Sequence, residues 1–142
     1  MEGDVVESMF DGIEHSSLML TFLTKKYALK ISGEGPNGRS DNCYREFNAA
    51  ISFQKDILVL VMEPDMLSTN QWPLKLRGLK GHDLYVDLSS EFIDDFDDRM
   101  DVLYKRVINI LTSHSSFAKG TILRRSTSEE TKVCMLKYIY CR

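Results

Sequence analysis

The sequence predicts an α/β domain in which a parallel sheet is covered by helices on both faces. Residues 18–23 and 57–62 are short runs that are apolar on both of the faces a strand would present. Such runs are typical of parallel strands buried on two sides. A third strand is predicted at residues 84–88, and segments with apolar residues at helical spacing lie between or after the strands. Because doubly buried strands need a covering layer on each side, this alternation predicts a parallel α/β sheet.

The totals predict one cytoplasmic domain. The chain has 142 residues, of which 43% are hydrophobic and 27% charged, as in folded globular proteins. A net charge of −3 without a basic patch argues against nucleic acid as a partner. No apolar run has the length of a membrane span, and a secretory signal is not predicted. The three cysteines, Cys43, Cys134 and Cys141, lack metal-type spacing, so reduced thiols in the cytoplasm are predicted.

Capping signals and apolar spacing predict three helices. Asp4 followed by Glu7 fits a capping box at the start of the first helix. Asp41 is predicted to cap the second helix. One side of that second helix would carry Cys43, Phe47, Ala50, Ile51 and Gln54. An acidic stretch at residues 91–98 suits the dipole at the start of the third helix. The inner face of the third helix would carry Met100, Leu103, Val107, Ile110 and Leu111.

Two loops and a core follow from the same pattern. Residues 25–40, rich in Gly, Pro, Asn and Ser, are predicted to form a surface loop. Residues 66–81 are predicted to form another loop around Trp72, whose ring would cover a helix or strand. The predicted core contains Leu20, Phe22, Leu58, Leu60, Val61 and Val86.

Five segments of residues 1–111, in order, resemble the TIR (Toll/interleukin-receptor) family. They are Met1-Glu2-Gly3-Asp4 with Met9, Gly12-Ile13 and Ser16; Phe22-Leu23-Thr24-Lys25-Lys26-Tyr27; Asp41-Asn42-Cys43-Tyr44-Arg45-Glu46-Phe47 with Ala50; Val61-Met62-Glu63-Pro64 followed by Trp72; and Leu84-Tyr85-Val86-Asp87. Asn42 departs from the Trp of many members, and Pro73 from a common Gly. The resemblance implies a flavodoxin-like three-layer fold that lacks the family's first two strands and first helix.

The resemblance implies a function in intracellular signal transduction through association with other TIR-domain proteins or with itself. In the catalytic branch of the family, a motif glutamate serves cleavage of NAD+ between nicotinamide and ribose, and Glu46 stands at the matching position. Asn42 and Cys43, within one turn of Glu46, would be candidate substrate-binding residues. The chain is therefore expected to be an association module, an NAD+ glycohydrolase that needs no cofactor, or an inactive partial gene product.

One carboxylate is chemically sufficient for this cleavage. The nicotinamide ring is cationic in NAD+, so it can depart without being protonated. A carboxylate can offset the positive charge that develops on the oxocarbenium-like ribose. A glutamate near a helix start is also favoured by the helix dipole alone, which is a purely structural explanation of Glu46. Holding the nucleotide in position contributes a large part of the rate of such a reaction. The resemblance implies that the part of a TIR domain without a counterpart here would supply other walls of the pocket. No substantial NAD+ hydrolysis by this chain is therefore expected.

Other chemical candidates in the sequence are weaker. His15, His82 and His114 are isolated, which argues against a metal site. The glycines of residues 33–38 lack the spacing of a phosphate-binding loop. Cys43 shares the apolar side of the second predicted helix, which favours a buried structural thiol.

The C-terminal segment, residues 112–142, is predicted to supply an added strand or helix. In the family's strand order the missing first strand would lie beside residues 18–23 and leave that edge open. Residues 133–140 are β-prone and long enough to fold back as a substitute strand. An amphipathic closing helix is the alternative, and pairing of the open edge with another chain is a third.

Overall fold

The computed structural model describes residues 2–79, 85–90, 94–115 and 133–134, with side-chain surroundings for a subset of them. Its strands form one parallel sheet in the order β3-β2-β1-β4. The strands are β1 (Leu18–Leu23), β2 (Asp56–Val61), β3 (Tyr85–Asp87) and β4 (Val133–Cys134). The prediction of a parallel α/β sheet is confirmed. Residue 84, where the third strand was predicted to begin, lies outside the described residues.

Five α-helices surround the sheet in the described part of the chain. They are α1 (Glu2–Glu14), α2 (Lys25–Ser32), α3 (Asn42–Ser52), α4 (Leu74–Arg77) and α5 (Asp94–Ser115). Short 3-10 turns span Gly38–Ser40, Pro64–Leu67 and Thr69–Gln71. None of the helices described here is long and apolar enough to cross a bilayer.

The core has two layers, one on each face of the sheet. On one face, α1, α2, α3 and α4 contribute buried residues that include Ile13, Ile31, Phe47 and Leu76. On the other face, partly buried residues of α5 cover Leu18, Leu20, Leu58, Leu60 and Val86. Of the predicted core residues, Leu20, Leu58, Leu60, Val61 and Val86 are buried, whereas Phe22 is only partly buried.

The prediction that residues 25–40 form a loop is wrong for its first half. Residues 25–32 form α2, because the Thr24 side chain caps it by accepting a hydrogen bond from the Tyr27 amide at 3.0 Å. Gly33 ends the helix in the left-handed conformation, with φ of 78°. Ala28 and Ile31 bury one side of α2 against the sheet. The irregular segment is therefore residues 33–41, interrupted by one 3-10 turn.

Three smaller predictions also need correction. Helix α1 begins at Glu2, so Asp4 lies within the helix and not at the N-cap position that the predicted capping box required. Acidic residues are favoured by the helix dipole at any position of the first turn. Their presence near residue 4 therefore did not indicate at which residue the helix begins. Helix α3 ends at Ser52, so Gln54 lies beyond it with φ of 54°, and Ile51 is exposed.

Residues 66–79 are more ordered than the predicted loop. Two 3-10 turns and α4 occupy much of this segment. Trp72 is buried, donates from Nε1 to the Met66 carbonyl at 2.6 Å and meets Tyr85 edge-on at 5.8 Å between ring centroids. Trp72 was predicted to cover a helix or strand, and the contact with Tyr85 places it against β3. Residues 80 and 81 lie outside the described part.

The C-terminal segment returns to the sheet. Strand β4 pairs in parallel with β1, with Val133 opposite Leu18 and Cys134 opposite Met19. The prediction of a substitute strand is confirmed at these two residues, and residues 135–140 lie outside the described part. Strands β2 and β4 thus flank β1. The chain proceeds from β1 to β2 and β3 on one side and then returns across the sheet to β4 on the other side, which reverses the strand order at β1. Parallel sheets bind ligands at the carboxyl ends of their strands near such a point.

Candidate functional site

The N-terminal turn of α3 lies at the carboxyl edge of the sheet, because α3 runs back toward the start of β2. Asp41 caps this turn, and its Oδ1 accepts from the Cys43 amide at 2.8 Å. The cap is itself buried, with only 4% of Asp41 exposed. The prediction that Asp41 caps this helix is confirmed, and the cap fixes where Glu46 emerges from α3.

Glu46 is a half-buried carboxyl without an internal partner. No hydrogen bond or ion pair among the described residues ends on its side chain. Burial, and then the negative charge of Asp41, raise the pKa of Glu46 from 4.5 to about 7. Near neutral pH the side chain therefore populates both its neutral and its charged form, which is a property of many acid–base and electrostatic sites.

Asp41 is neutralised by a buried lysine of α2. Lys30 Nζ lies 3.6 Å from Asp41 Oδ2, with 9% of the lysine side chain and 4% of the aspartate side chain exposed. A buried pair of this kind leaves an uncompensated charge if either member is removed. The pair joins α2 to the start of α3, the helix that carries Glu46.

Cys43 adjoins Glu46 as a protonated thiol. Burial, and then the charge of Asp41, raise the pKa of Cys43 to about 11. A thiol with that pKa is protonated at neutral pH and is a poor nucleophile. Its half-buried position agrees with a packing role better than with chemistry. Asn42, the first residue of α3, is exposed on the solvent side of the same turn.

Two buried hydroxyl groups lie beneath this turn. Tyr27 projects from α2 within electrostatic reach of Cys43 and Glu46, and burial raises its pKa well above its ordinary value. The nearby hydroxyl of Thr21, on β1, acts to lower the pKa of Tyr27, although the two hydroxyl groups do not reach hydrogen-bond geometry. Neither hydroxyl has a hydrogen-bond partner in the described part of the protein. Unpaired buried polar groups are uncommon in folded proteins.

The structure thus brings Glu46 and Cys43 together and adds residues that sequence reasoning did not assign to the site. From the sequence, Tyr27 was known only as a position in a family motif, and Lys30 was predicted to lie in a loop. The signal that could have found Lys30 was the helical spacing of Tyr27, Ala28 and Ile31 after the capping residue Thr24.

Neighbouring strand exits are occupied by internal contacts. At the start of α2, Glu63 Oε2 accepts from the Lys25 amide at 2.9 Å, and the Lys25 ammonium pairs with Asp65. After β3, Arg99 Nη1 lies 3.0 Å from Asp87 Oδ2. Burial alone would raise the pKa of Asp87, but hydrogen bonds from Ser89 and Arg99 hold it below its ordinary value. These carboxylates are already paired, which distinguishes them from Glu46.

A metal-binding cluster is not present among the residues that the structure describes. Comparison with known proteins gave no match to a family model, a curated protein or a solved structure. The protein is therefore a parallel α/β domain, and Glu46 is a half-buried glutamate without a hydrogen-bond partner among the described residues at the carboxyl edge of the sheet. The resemblance to TIR domains depends on the sequence motifs.

Proposed function

We propose that this chain is a TIR-like domain that acts in intracellular signal transduction by associating with other TIR-domain proteins or with itself. The observation that carries the proposal is the apolar surface of α5. Phe96 and Tyr104 each leave more than half of their surface exposed on this helix, and Met100 and Ile108 are also exposed. Contiguous exposed apolar side chains are typical of protein interaction sites.

The arrangement of the sheet supports the same proposal. In the TIR strand order, the family's first strand would lie beside β1, on the side opposite β2. Here β4 takes that side of β1 in parallel orientation. A flavodoxin-like TIR layout would then be completed by the chain's own C-terminal segment, and the domain could fold and present a defined surface.

Association is tested by measuring mass in solution. We expect the mass from analytical ultracentrifugation to rise with concentration, either for the chain alone or on mixing with purified TIR domains of a receptor and an adaptor. Tyr104→Lys should abolish the increase, because it places a charge in the apolar surface. Leu74→Lys is the matched control, since Leu74 is 77% exposed but lies on α4. Absence of both self-association and mixed association would contradict the proposal.

Cleavage of NAD+ is the second candidate function, and the unpaired carboxyl of Glu46 favours it. The glycosidic C–N bond would break with its electron pair moving to the pyridinium ring, which releases neutral nicotinamide. The carboxylate of Glu46 would offset the resulting positive charge on the ribose. Water would then add to the ribose carbon and lose a proton, giving ADP-ribose. Asn42 and Cys43 would line the same turn of α3.

This second function requires the ionised form of Glu46. Because the pKa of Glu46 is about 7, turnover should rise with pH through that value. The test is to measure nicotinamide release by chromatography, both for the parent chain and for Glu46→Gln. Turnover that the glutamine variant loses would favour the enzyme, whereas equal background release from both proteins would exclude it.

A further inference from the structure

The buried ion pair between α2 and α3 lies close to a second carboxyl group. Lys30 Nζ is 3.6 Å from Asp41 Oδ2, and both side chains are buried. Asp41 Oδ1 turns back onto α3 and accepts from the Cys43 amide at 2.8 Å. Glu46 follows Cys43 by three residues, a spacing that places two side chains on the same side of a helix. Two carboxyl groups, Asp41 and Glu46, therefore share the start of α3 with one buried ammonium group.

The charges of this turn act on one another. Burial is the largest cause of the raised pKa of Glu46, and the negative charge of Asp41 is the second. Burial and the charge of Asp41 also raise the pKa of Cys43, whereas the charge of Lys30 acts to lower it. Lys30 therefore opposes Asp41 in the field that the groups of this turn experience.

Lys30 differs in its burial from the titratable groups that neighbouring elements contribute. The buried hydroxyl of Tyr27, one turn before Lys30 on α2, is neutral at neutral pH because burial raises its pKa well above its ordinary value. Other groups on the elements that contact α3 are exposed to water, which screens their charges. They are Glu7, Asp11, Glu14 and His15 of α1, Arg39 of the first 3-10 turn and Lys75 of α4.

A lysine fixed on one carboxyl group decides which of the two retains a proton. Neighbouring buried carboxyl groups do not ionise together readily, since each charge raises the pKa of the other group. The ammonium group of Lys30 and the Cys43 amide both stabilise the charged form of Asp41. Glu46 has no such contact among the described residues, so the proton remains there. Without Lys30, the same two carboxyl groups would hold their last proton to a higher pH.

We propose that Asp41 and Glu46 titrate as one carboxyl pair, and that Lys30 is the positioning residue that holds the charge on Asp41 and the proton on Glu46. Lys30 thereby makes Glu46 the member of the pair that exchanges a proton near neutral pH. The inference rests on the second proposed function for its use in catalysis, in which Glu46 acts on the ribose. The titration itself is measured without NAD+.

The test follows the side-chain carboxyl signals of Asp41 and Glu46 by NMR, in protein with isotope-labelled aspartate and glutamate. Asp41→Asn and Glu46→Gln assign the two signals. In the parent chain Glu46 should lose its proton at about pH 7. Lys30→Met should raise the pH at which the pair loses its last proton by about one unit, because a nearby opposite charge favours a carboxylate by at least that amount.

The matched control is Lys105→Met, because Lys105 is exposed on α5, which covers the other face of the sheet. This variant should leave the titration of both carboxyl groups unchanged. A last step of the pair in Lys30→Met at the same pH as in the parent, or at a lower pH, would overturn the proposal. Unfolding cannot imitate the expected rise, since it returns Glu46 to its ordinary pKa of 4.5.

A double variant covers the case in which Lys30→Met does not fold. Lys30→Met combined with Asp41→Asn removes both charges, and asparagine caps a helix as well as aspartate does. Glu46 should then lose its proton between pH 4.5 and 7, because its burial remains and the charge of Asp41 does not. A step that stays at pH 7 or above would overturn the coupling of the pair. If the titrations follow the proposal but the parent chain does not cleave NAD+, the second function fails while this inference stands.

Discussion

Replacing Glu46 by glutamine should stabilise the fold at neutral and alkaline pH. The carboxyl is half-buried beside Asp41, and its pKa rises from 4.5 to about 7 in the folded protein. Between these two values the folded state holds a proton that the unfolded state has released. The free energy of unfolding therefore falls as pH rises through this window. A glutamine of nearly the same shape carries no charge and escapes the penalty.

The magnitude follows from the difference between the two pKa values. It corresponds to roughly 3 kcal/mol for a group shielded from solvent, at about 1.36 kcal/mol per pH unit. Solvent reaches part of the Glu46 carboxyl, so screening reduces the effect to about 1–2 kcal/mol. We expect Glu46→Gln to exceed the parent by this amount at pH 8 and to equal it near pH 4.5.

Urea denaturation followed by circular dichroism at pH 4.5, 6, 7 and 8 provides the assay. Glu7→Gln is the matched control, because Glu7 is exposed on α1 and lacks this burial. The difference between Glu46→Gln and the parent should grow with pH, whereas the difference for Glu7→Gln should stay constant. A Glu46→Gln variant that is less stable than the parent at pH 8 would refute the reasoning and indicate an unseen partner of the carboxylate.

Three further changes probe other parts of the structure. Asp41→Ala should lower the free energy of unfolding by about 2–4 kcal/mol in urea titrations, since it removes both a helix cap and the buried ion pair with Lys30; a loss below about 0.5 kcal/mol would contradict the buried pair. Gly33→Ala should cost about 1 kcal/mol because of its φ of 78°. Gly12→Ala, with nothing within 4 Å of the new Cβ, should be neutral or stabilising in the same titration. Deleting residues 131–142 should lower the melting temperature and raise the solution mass, and a truncated chain that is monomeric and equally stable would exclude the tail as cover for β1.

The strands could be predicted because their signal is local and strong. Residues 18–23 coincide with β1, and residues 57–62 differ from β2 by one position at each end. A run that is apolar on both faces has no stable solvent-exposed arrangement. Helix α2 was not predicted, because its buried side is short and the lysines at 25, 26 and 30 interrupt the apolar spacing that indicates a helix.

The site was only partly predictable from the sequence. Glu46 and its cap Asp41 follow from the motif and from capping rules. The buried pair with Lys30 and the unpaired hydroxyl of Tyr27 depend on how α2 packs against α3, which no local pattern encodes. The raised pKa of Glu46 is likewise a property of three-dimensional surroundings. The pairing of β4 could be anticipated from the open edge of β1, but its register could not.

The position of β4 has a consequence for synthesis of the protein. Strands β1, β2 and β3 leave the ribosome before β4, and 45 residues lie between Asp87 and Val133. At about 5–20 residues per second, roughly 2–9 seconds pass before β4 can pair with β1. During that interval the nascent sheet offers the edge at Leu18 and Met19 to any extended chain nearby. Binding of a chaperone to that edge would protect the nascent protein until β4 pairs with β1.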